Sequence, residues 1–429
     1  MNMINVRRLA VMTFLGAGML SDISAQDFSL QADTLNEARL PAQWDLQSCI
    51  DYALEQNITI RKNRVTAEST QIDVKTAKAA LFPSLSFSTS QQVVNRPYQE
   101  TSSRVSGSEI ISSNSKTSYN GNYGLNASWT IYNGSKRLKT LKQERLNNQV
   151  AELDVATSEN TIKESIAQIY IQILYAAESV RVNENTLQVS IAQRDRGQEL
   201  LNAGSIAKSD FAQLEAQVST DRYQLVTAQA TLQDYKLQLK QLLELDGENE
   251  MNVYLPNLSD ENVLAPLPAK KDVYVSALAI RTEIEASKLK VEASEFGIDI
   301  AKSSYFPTIS LSAGIGTNHT SGSDFTFGEQ VKNGWNNSIG LSVSVPIFNN
   351  RQTKSAVQKA KLQRETNMLS LLDEQKALYK TIESLWLDAN SAQQRYAAAN
   401  EKLRSTQISY DLISEQFNLG MKNTVELLT

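Results

Sequence analysis

Chemistry needs side chains that can attack, ligate or titrate, and this chain groups few of them usefully. Cys49 is its one cysteine and His319 its one histidine. A lone cysteine closes no internal disulfide. A lone histidine rules out multi-histidine metal sites and leaves little for a histidine-based triad. Gly314-Ile315-Gly316 sits inside a strand pattern, without the strand-to-helix setting a dinucleotide loop needs. Leu46-Gln47-Ser48-Cys49 has the letters of a lipoprotein cleavage box. Trp44 and Asp45 precede it, however, and the nearest apolar run ends far upstream, so Cys49 reads as a small buried residue. Asp210 and Glu426 occupy matching places, each six positions past a glycine, Gly204 or Gly420. A carboxylate in the first turn of a helix complements the helix dipole. No catalytic group, metal or cofactor is expected.

Few positions offer chemistry, so the information lies in the elements. The net charge of −5 gives no reason to expect nucleic acid. Residues 1–25 read as a secretory signal: Arg7 and Arg8, a short apolar run from Leu9 to Leu20, then Ile23-Ser24-Ala25. That run is shorter than the roughly 20 residues a membrane helix needs. No later stretch is a candidate, so any membrane entry has to be as a β-barrel.

The chain is an internal duplication. Ala79-Ala80-Leu81-Phe82-Pro83-Ser84-Leu85-Ser86 answers Ser303-Ser304-Tyr305-Phe306-Pro307-Thr308-Ile309-Ser310 at a numbering offset of 224. Asn202-Ala203-Gly204 answers Asn418-Leu419-Gly420 at an offset of 216. The copies therefore differ by an eight-residue indel between the proline and the next helix, most simply in a loop. We read 26–245 as the first repeat, 246–271 as a Pro-containing connector, and 272–429 as the second. In copy one the second repeat's missing portion has a counterpart: the chain runs well past its turn glycine there, from Gly204 to Leu245, but in copy two only from Gly420 to Thr429. The last helix is therefore expected to be missing, as in a fragment.

Each repeat predicts helix, two strands, and a very long helix. Helices are expected over 46–80, 135–201, 208–245, 272–304 and 351–417. The long helix, at about 67 residues, corresponds to about 100 Å. Two half-length helices stacked beside it would make a wall of uniform height. The heptad stripe of 208–245 has one exception, Asp221. Strands are expected at about 84–94, 118–132, 308–317 and 336–348, with loops near 94–118 and 318–333. Tyr123, Leu125, Ala127, Trp129 and Ile131 alternate with Asn122, Asn126, Ser128 and Thr130. All four strands split this way, apolar against hydroxyl or amide, and no further strand is expected to build a second sheet. The split suits a barrel wall, lipid on one side and water on the other. Four strands close nothing, so self-association is required. Eight strands pack full and twelve can hold water, which favours three copies.

The segment Trp44-Asp45-Leu46-Gln47-Ser48-Cys49-Ile50-Asp51-Tyr52-Ala53-Leu54 resembles the opening of TolC-like outer-membrane efflux proteins. So do the paired junctions Phe82-Pro83 and Phe306-Pro307, Ala277-Leu278 followed by Arg281, and the paired glycine turns. The resemblance covers nearly the whole mature chain. It implies a mixed α and β membrane fold. Each subunit would supply a four-stranded share of a trimeric twelve-stranded barrel, continued by a long antiparallel coiled-coil α-barrel. It implies a homotrimer in outer-membrane lipid that docks a periplasmic adaptor and an inner-membrane pump. The implied role is a passive conduit for drugs, other small molecules or proteins. The alternative is a non-conducting coiled-coil scaffold anchored by a small barrel.

The resemblance also assigns residues. The turns 202–209 and 418–425 would form the adaptor-facing rim, with Gly204, Ser205, Asp210, Gly420, Lys422 and Asn423. Glu426 would constrict the periplasmic entrance, three copies ringing the pore and favouring cations. Thr429 falls where a second gate carboxylate is expected and is not acidic. Trp129, Tyr132 and Phe348, with Phe82, Tyr305 and Phe306, sit at strand ends. They read as an aromatic girdle or as packing at the helix–strand joint. Trp386 reads as core or intersubunit packing and His319 as a solvated loop residue. Lys136, Arg137, Lys139 and Lys142 read as a solvated face or as contacts to lipid headgroups.

Overall fold

The computed structural model describes residues 41, 43–98, 102–106, 109–113, 116–246, 251–256, 263–321 and 325–418. The signal segment, Gly420, Lys422, Asn423, Glu426 and Thr429 lie outside the described residues, as does any final helix.

Helix α1 (Leu46–Gln56) starts at Asp45, whose carboxylate accepts from the Ser48 amide at 2.7 Å. Hydrogen bonding by the Ser48 hydroxyl and amide holds that carboxyl below its ordinary range. Cys49 is fully buried on this helix, and burial pushes its thiol up to about 12. The sequence predicts one helix over 46–80, but the structure has two. Asn57, at φ −60° and ψ 124°, separates α1 from α2 (Ile58–Ala79) and caps α2 by accepting from the Thr59 and Ile60 amides. The same correction applies at the matching place in the second repeat. Arg281, at φ −67° and ψ 124°, separates α5 (Lys270–Ile280) from α6 (Thr282–Ser303). Arg281 does not cap with its side chain; it pairs with Glu164 at 3.2 Å and Glu283 at 3.6 Å.

The strands are β1 (Ser84–Asn95), β2 (Ser102–Ser106), β3 (Glu109–Ser113), β4 (Thr117–Asn133), β5 (Thr308–Thr320) and β6 (Asn336–Ser344). The expected loop at 94–118 is thus corrected: β2 and β3 pair there as a small antiparallel sheet of their own. The other loop, near 318–333, is also corrected. β5 continues to Thr320, and a short helix, α7 (Phe327–Asn333), follows. The capping box of Thr326 and Glu329 opens α7. β6 stops at Ser344, short of the expected 348, because Pro346 has no amide to give the ladder.

The main sheet is antiparallel in the order β1-β4-β5-β6. Its register carries the duplication. Ser84 pairs with Ser128 and Thr308 with Ser344, as the offsets of 224 and 216 require. The match persists to Gln92 with Asn120 and Gly316 with Asn336. The eight-residue indel therefore falls beyond the matched ladder rungs, toward the loops.

The long helices α3 (Lys136–Asn202) and α8 (Gln352–Asn418) have 67 residues each. Both begin after a left-handed pair, Gly134 and Ser135 in copy one, Asn350 and Arg351 in copy two. α3 packs along α2 and α6 and, below them, along α4 (Lys208–Leu242). α2 and α4 meet end to end: Asn57 Nδ2 donates to the Leu242 carbonyl at 3.0 Å. The core lies at this joint, midway along α3, where Cys49, Ala53, Ile166, Ile173, Leu239 and Leu243 are buried together. The connector belts it. Trp44 N–H donates to Asn252 O at 2.8 Å, and Tyr170 Oη donates to Tyr254 O at 2.6 Å. Farther on, the connector straps α8: Trp386 Nε1 donates to Pro268 O at 3.1 Å, and Lys270 lies 4.6 Å over the Trp386 ring.

Candidate conduit wall and tip

The main sheet presents two different surfaces. Period-two alternation and the observed register put Ser84, Ser86, Ser88 and Ser90 of β1 on one face with Asn122, Asn126 and Ser128 of β4. The same face continues through Ser310, Ser312 and Gly314 of β5 to Ser338, Gly340 and Ser342 of β6. Its groups bond to one another across strands. The Ser84 and Ser128 hydroxyls are 2.8 Å apart, Asn122 Nδ2 donates to Ser90 Oγ at 3.3 Å, and Asn126 Nδ2 donates to Ser88 Oγ at 3.4 Å. The opposite face carries Leu85, Phe87, Leu125, Trp129, Ile315, Ile339, Leu341 and Val343, all exposed. An apolar surface this continuous marks contact with lipid or protein. Among the described residues β1 and β6 each pair on one side only, so the sheet has two open edges.

The joints below the sheet are tied by hydrogen bonds. Trp129 Nε1 donates to the Leu81 carbonyl at 2.9 Å, and the Arg137 guanidinium donates to the Ala80 carbonyl at 2.7 Å. Trp129 thus holds the Phe82-Pro83 junction as well as lying at a strand end. The Ser303 hydroxyl donates to Gly134 O at 2.9 Å, drawing the Phe306-Pro307 junction onto the start of α3. Phe82, Tyr132, Phe306 and Phe348 are exposed around these joints. Of the four basic residues that open α3, Lys139 reaches Asp299 at 3.8 Å and Lys142 lies 5.8 Å over the Phe296 ring. Arg137, Lys139 and Lys142 therefore tie α3 to its neighbours.

His319 is not a solvated loop residue. β5 runs past it, and its ring packs 5.1 Å from Tyr119 and 5.0 Å from Phe327. Its Nδ1 is buried without a partner. The sequence carries a usable signal: residue 319 continues the odd-numbered apolar face of β5.

At the far end, α3 stops at Gly204, whose φ of +71° favours glycine. The Ser205 amide donates to Leu200 O at 2.8 Å and the Gly204 amide to Leu201 O at 3.0 Å, a Schellman closure. Asp210 caps α4 by accepting from the Ala207 amide at 3.4 Å. The turn and its carboxylate are thus brought together in copy one; the copy-two counterparts lie outside the described residues. Asp221 interrupts the α4 stripe as the sequence indicates. It is 3% exposed, with one oxygen accepting from Gln217 at 2.8 Å and the other without a partner. A buried unsatisfied acceptor costs about 1–3 kcal/mol. Asp221→Leu is therefore expected to stabilise the α3–α4 hairpin by about that amount, read as a raised thermal midpoint by circular dichroism.

Among the described residues no group of acidic, cysteine or histidine side chains could hold a metal. None of their helices is long and apolar enough to cross a membrane. The family model described as outer membrane efflux protein matches residues 49–244 and 273–429, most of both repeats. The chain belongs to the outer membrane efflux protein family. It is accordingly an outer-membrane protein.

The outer membrane efflux protein BepC of Brucella suis biovar 1 (strain 1330) is 25% identical over 272 residues, 63% of this chain and 56% of its own. The outer membrane protein TolC of Escherichia coli (strain K12) is 23% identical over 316 residues, 71% of this chain and 62% of its own. The chain thus matches less than two thirds of the length of these two relatives. The outer membrane protein VceC of Vibrio cholerae superposes with a TM-score of 0.74 at 16% identity, over 89% of this chain and 88% of that one. That likeness shows the fold, which in this efflux-family chain is a four-stranded antiparallel sheet joined to long helices.

Proposed function

We propose that this chain is the outer-membrane conduit of an efflux or type I secretion system, with three copies closing their sheets into one twelve-stranded barrel. One observation carries the reading: an open four-stranded sheet with an exposed apolar face and an opposite face of serine, asparagine and glycine. Lipid tolerates no unpaired strand edge, so β1 of one copy must pair with β6 of another. Eight strands would pack solid, whereas twelve leave room for water against the polar face. The helices then continue the wall into the periplasm as a tunnel.

The aromatic residues fit the height of a membrane. Trp129, Tyr132, Phe306 and Phe348 lie at the helix end of the strands, and Tyr119, Tyr123 and Phe327 at the loop end. Tyr119 and Trp129 are ten positions apart, roughly 34 Å along the strand. At a tilt near 40° this becomes about 26 Å, matching an apolar band of about 25 Å.

The tip turns, with Gly204, Ser205 and Asp210 in copy one and Gly420, Lys422 and Asn423 in copy two, meet a periplasmic adaptor, and an inner-membrane pump supplies the energy. Cargo is drugs, other small molecules or proteins. Glu426 forms the acidic ring at the entrance.

Planar-bilayer recording of the purified full-length protein tests this. Step-like currents are expected, and Glu426→Gln is expected to lower the preference for cations over anions. Silence under conditions that open the entrance rejects the conduit. An unchanged ion preference in the variant rejects only the gate.

A further inference from the structure

The lumen-facing positions share a property that alternation alone does not require. On the polar face, β1 presents Ser84, Ser86, Ser88, Ser90 and Gln92, and β4 presents Asn120, Asn122, Gly124, Asn126, Ser128 and Thr130. β5 and β6 continue it with serine, threonine, asparagine and glycine. No lysine, arginine, aspartate or glutamate stands at any position of β1, β4, β5 or β6. Among the described residues charge resumes at the rims, with Arg96, Lys116 and the α7 residues Glu329 and Lys332 beyond one end and Lys136, Arg137 and Arg351 beyond the other.

We infer that the barrel is an electrically neutral exit that does not sort cargo by charge, so anionic and cationic polar molecules leave through it alike. The inference rests on the conduit reading and adds the class of cargo. Rings of charged side chains are what make a wide pore choose a sign, and walls of one sign between low-dielectric boundaries concentrate counter-ions. This wall has neither. Its dipoles are short hydroxyls and amides that hydrate either sign, and many already bond to each other, as Ser84 does to Ser128 and Asn126 to Ser88. Cargo therefore meets few unsatisfied groups that would hold it. Small side chains also keep the bore wide. Gly124 pairs with Gly316, and a methyl added at Gly314 would already lie 3.1 Å from Ser338 Oγ and 3.2 Å from Asn126 Oδ1. The barrel thus leaves the choice of cargo to the tunnel entrance and the proteins docked there.

The test uses the full-length protein in planar bilayers at low ionic strength, with Glu426→Gln as background so that the entrance carboxylate is absent. Hexaamminecobalt(III) and hexacyanoferrate(III) are added separately to the side of the extracellular loops. Equal, weak block by both is expected. Ser128→Asp, or independently Ser342→Asp, is expected to sensitise the pore to the cobalt complex by about tenfold or more, and not to the anion. Ser128→Asn is expected to behave as the background does. Strong block of the background pore by one sign overturns neutrality, and Asp variants without effect overturn the assignment of the lumen face. Absence of current from every variant overturns the conduit reading, and this inference with it.

Discussion

Arginine at Leu341 is expected to abolish assembly in the outer membrane, whereas arginine one residue on, at Ser342, is expected to leave assembly intact and change the current. The two positions are neighbours on β6 and point to opposite faces. Leu341 is 64% exposed on the apolar face and pairs with Leu311, near the middle of the ladder. A charge at the bilayer midplane costs about 2–4 kcal/mol per site in a barrel, and the proposed closure by three copies would triple it. That is comparable with the whole stability of an ordinary domain, about 5–15 kcal/mol. Ser342 lies on the opposite, polar face beside Ser310, the side proposed to meet water, where a guanidinium would stay hydrated. Heat-modifiable migration of the membrane-extracted oligomer reads the first outcome, and bilayer recording reads the second as a shift toward anions. If Leu341→Arg assembles normally while Ser342→Arg does not, the faces have been assigned the wrong way round.

That experiment depends on a pattern plainly written in the chain, and the reason is physical. A barrel strand meets lipid on one side and water on the other, so alternate residues must differ in kind, and Leu125 against Asn126 shows it in the sequence alone. Long helices are legible for a related cause: 67 residues of unbroken period need marked ends, here Gly134 and Gly204. The breaks at Asn57 and Arg281 are hidden because one residue leaves the helical region while the bonds around it persist. The Asn57 amide still donates to Ala53 O, and the Arg281 amide to Ala277 O, both at 2.9 Å. Apolar spacing therefore continues across each break. The hairpin of β2 and β3 lies in a serine-rich stretch with no clean alternation to announce it. α7 is legible in principle, since Thr326 and Glu329 have the spacing of a capping box. His319 shows the limit of exposure arguments. As the one imidazole near a loop it suggests solvent, but its neighbours Tyr119 and Tyr123 come from a strand about 200 residues away in sequence.

The duplicated joint between the sheet and the long helices gives a second large effect with an internal control. Gly134 holds φ +65°, and a methyl added there would lie 2.7 Å from the Ser303 carbonyl oxygen and 2.9 Å from Phe306 Cβ. Its counterpart in the second repeat, Asn350, holds φ +49°. Left-handed backbone costs an ordinary residue about 1–2 kcal/mol, and asparagine tolerates it better. Gly134→Ala adds to that cost a clash with main chain, which cannot rotate away as a side chain can. The expected loss is about 3 kcal/mol or more. It also pushes Ser303 away and strains the 2.9 Å bond from its hydroxyl to the Gly134 carbonyl. Asn350→Gly should be close to neutral, because relief of the left-handed backbone is offset by about 0.4–1 kcal/mol of added freedom in the unfolded chain. Gly134→Asn separates the two contributions, since it keeps a residue suited to positive φ but still brings the Cβ. Denaturation midpoints of the extracted oligomer rank the three. The expected order of damage is Gly134→Ala, then Gly134→Asn, with Asn350→Gly near wild type. Gly134→Asn as mild as Asn350→Gly would mean that conformation alone, and not the approach of Ser303, reserves this position for glycine. The joint matters because it sets the angle at which α3 leaves the sheet, so the two damaged variants should also show reduced or irregular conductance wherever they still assemble.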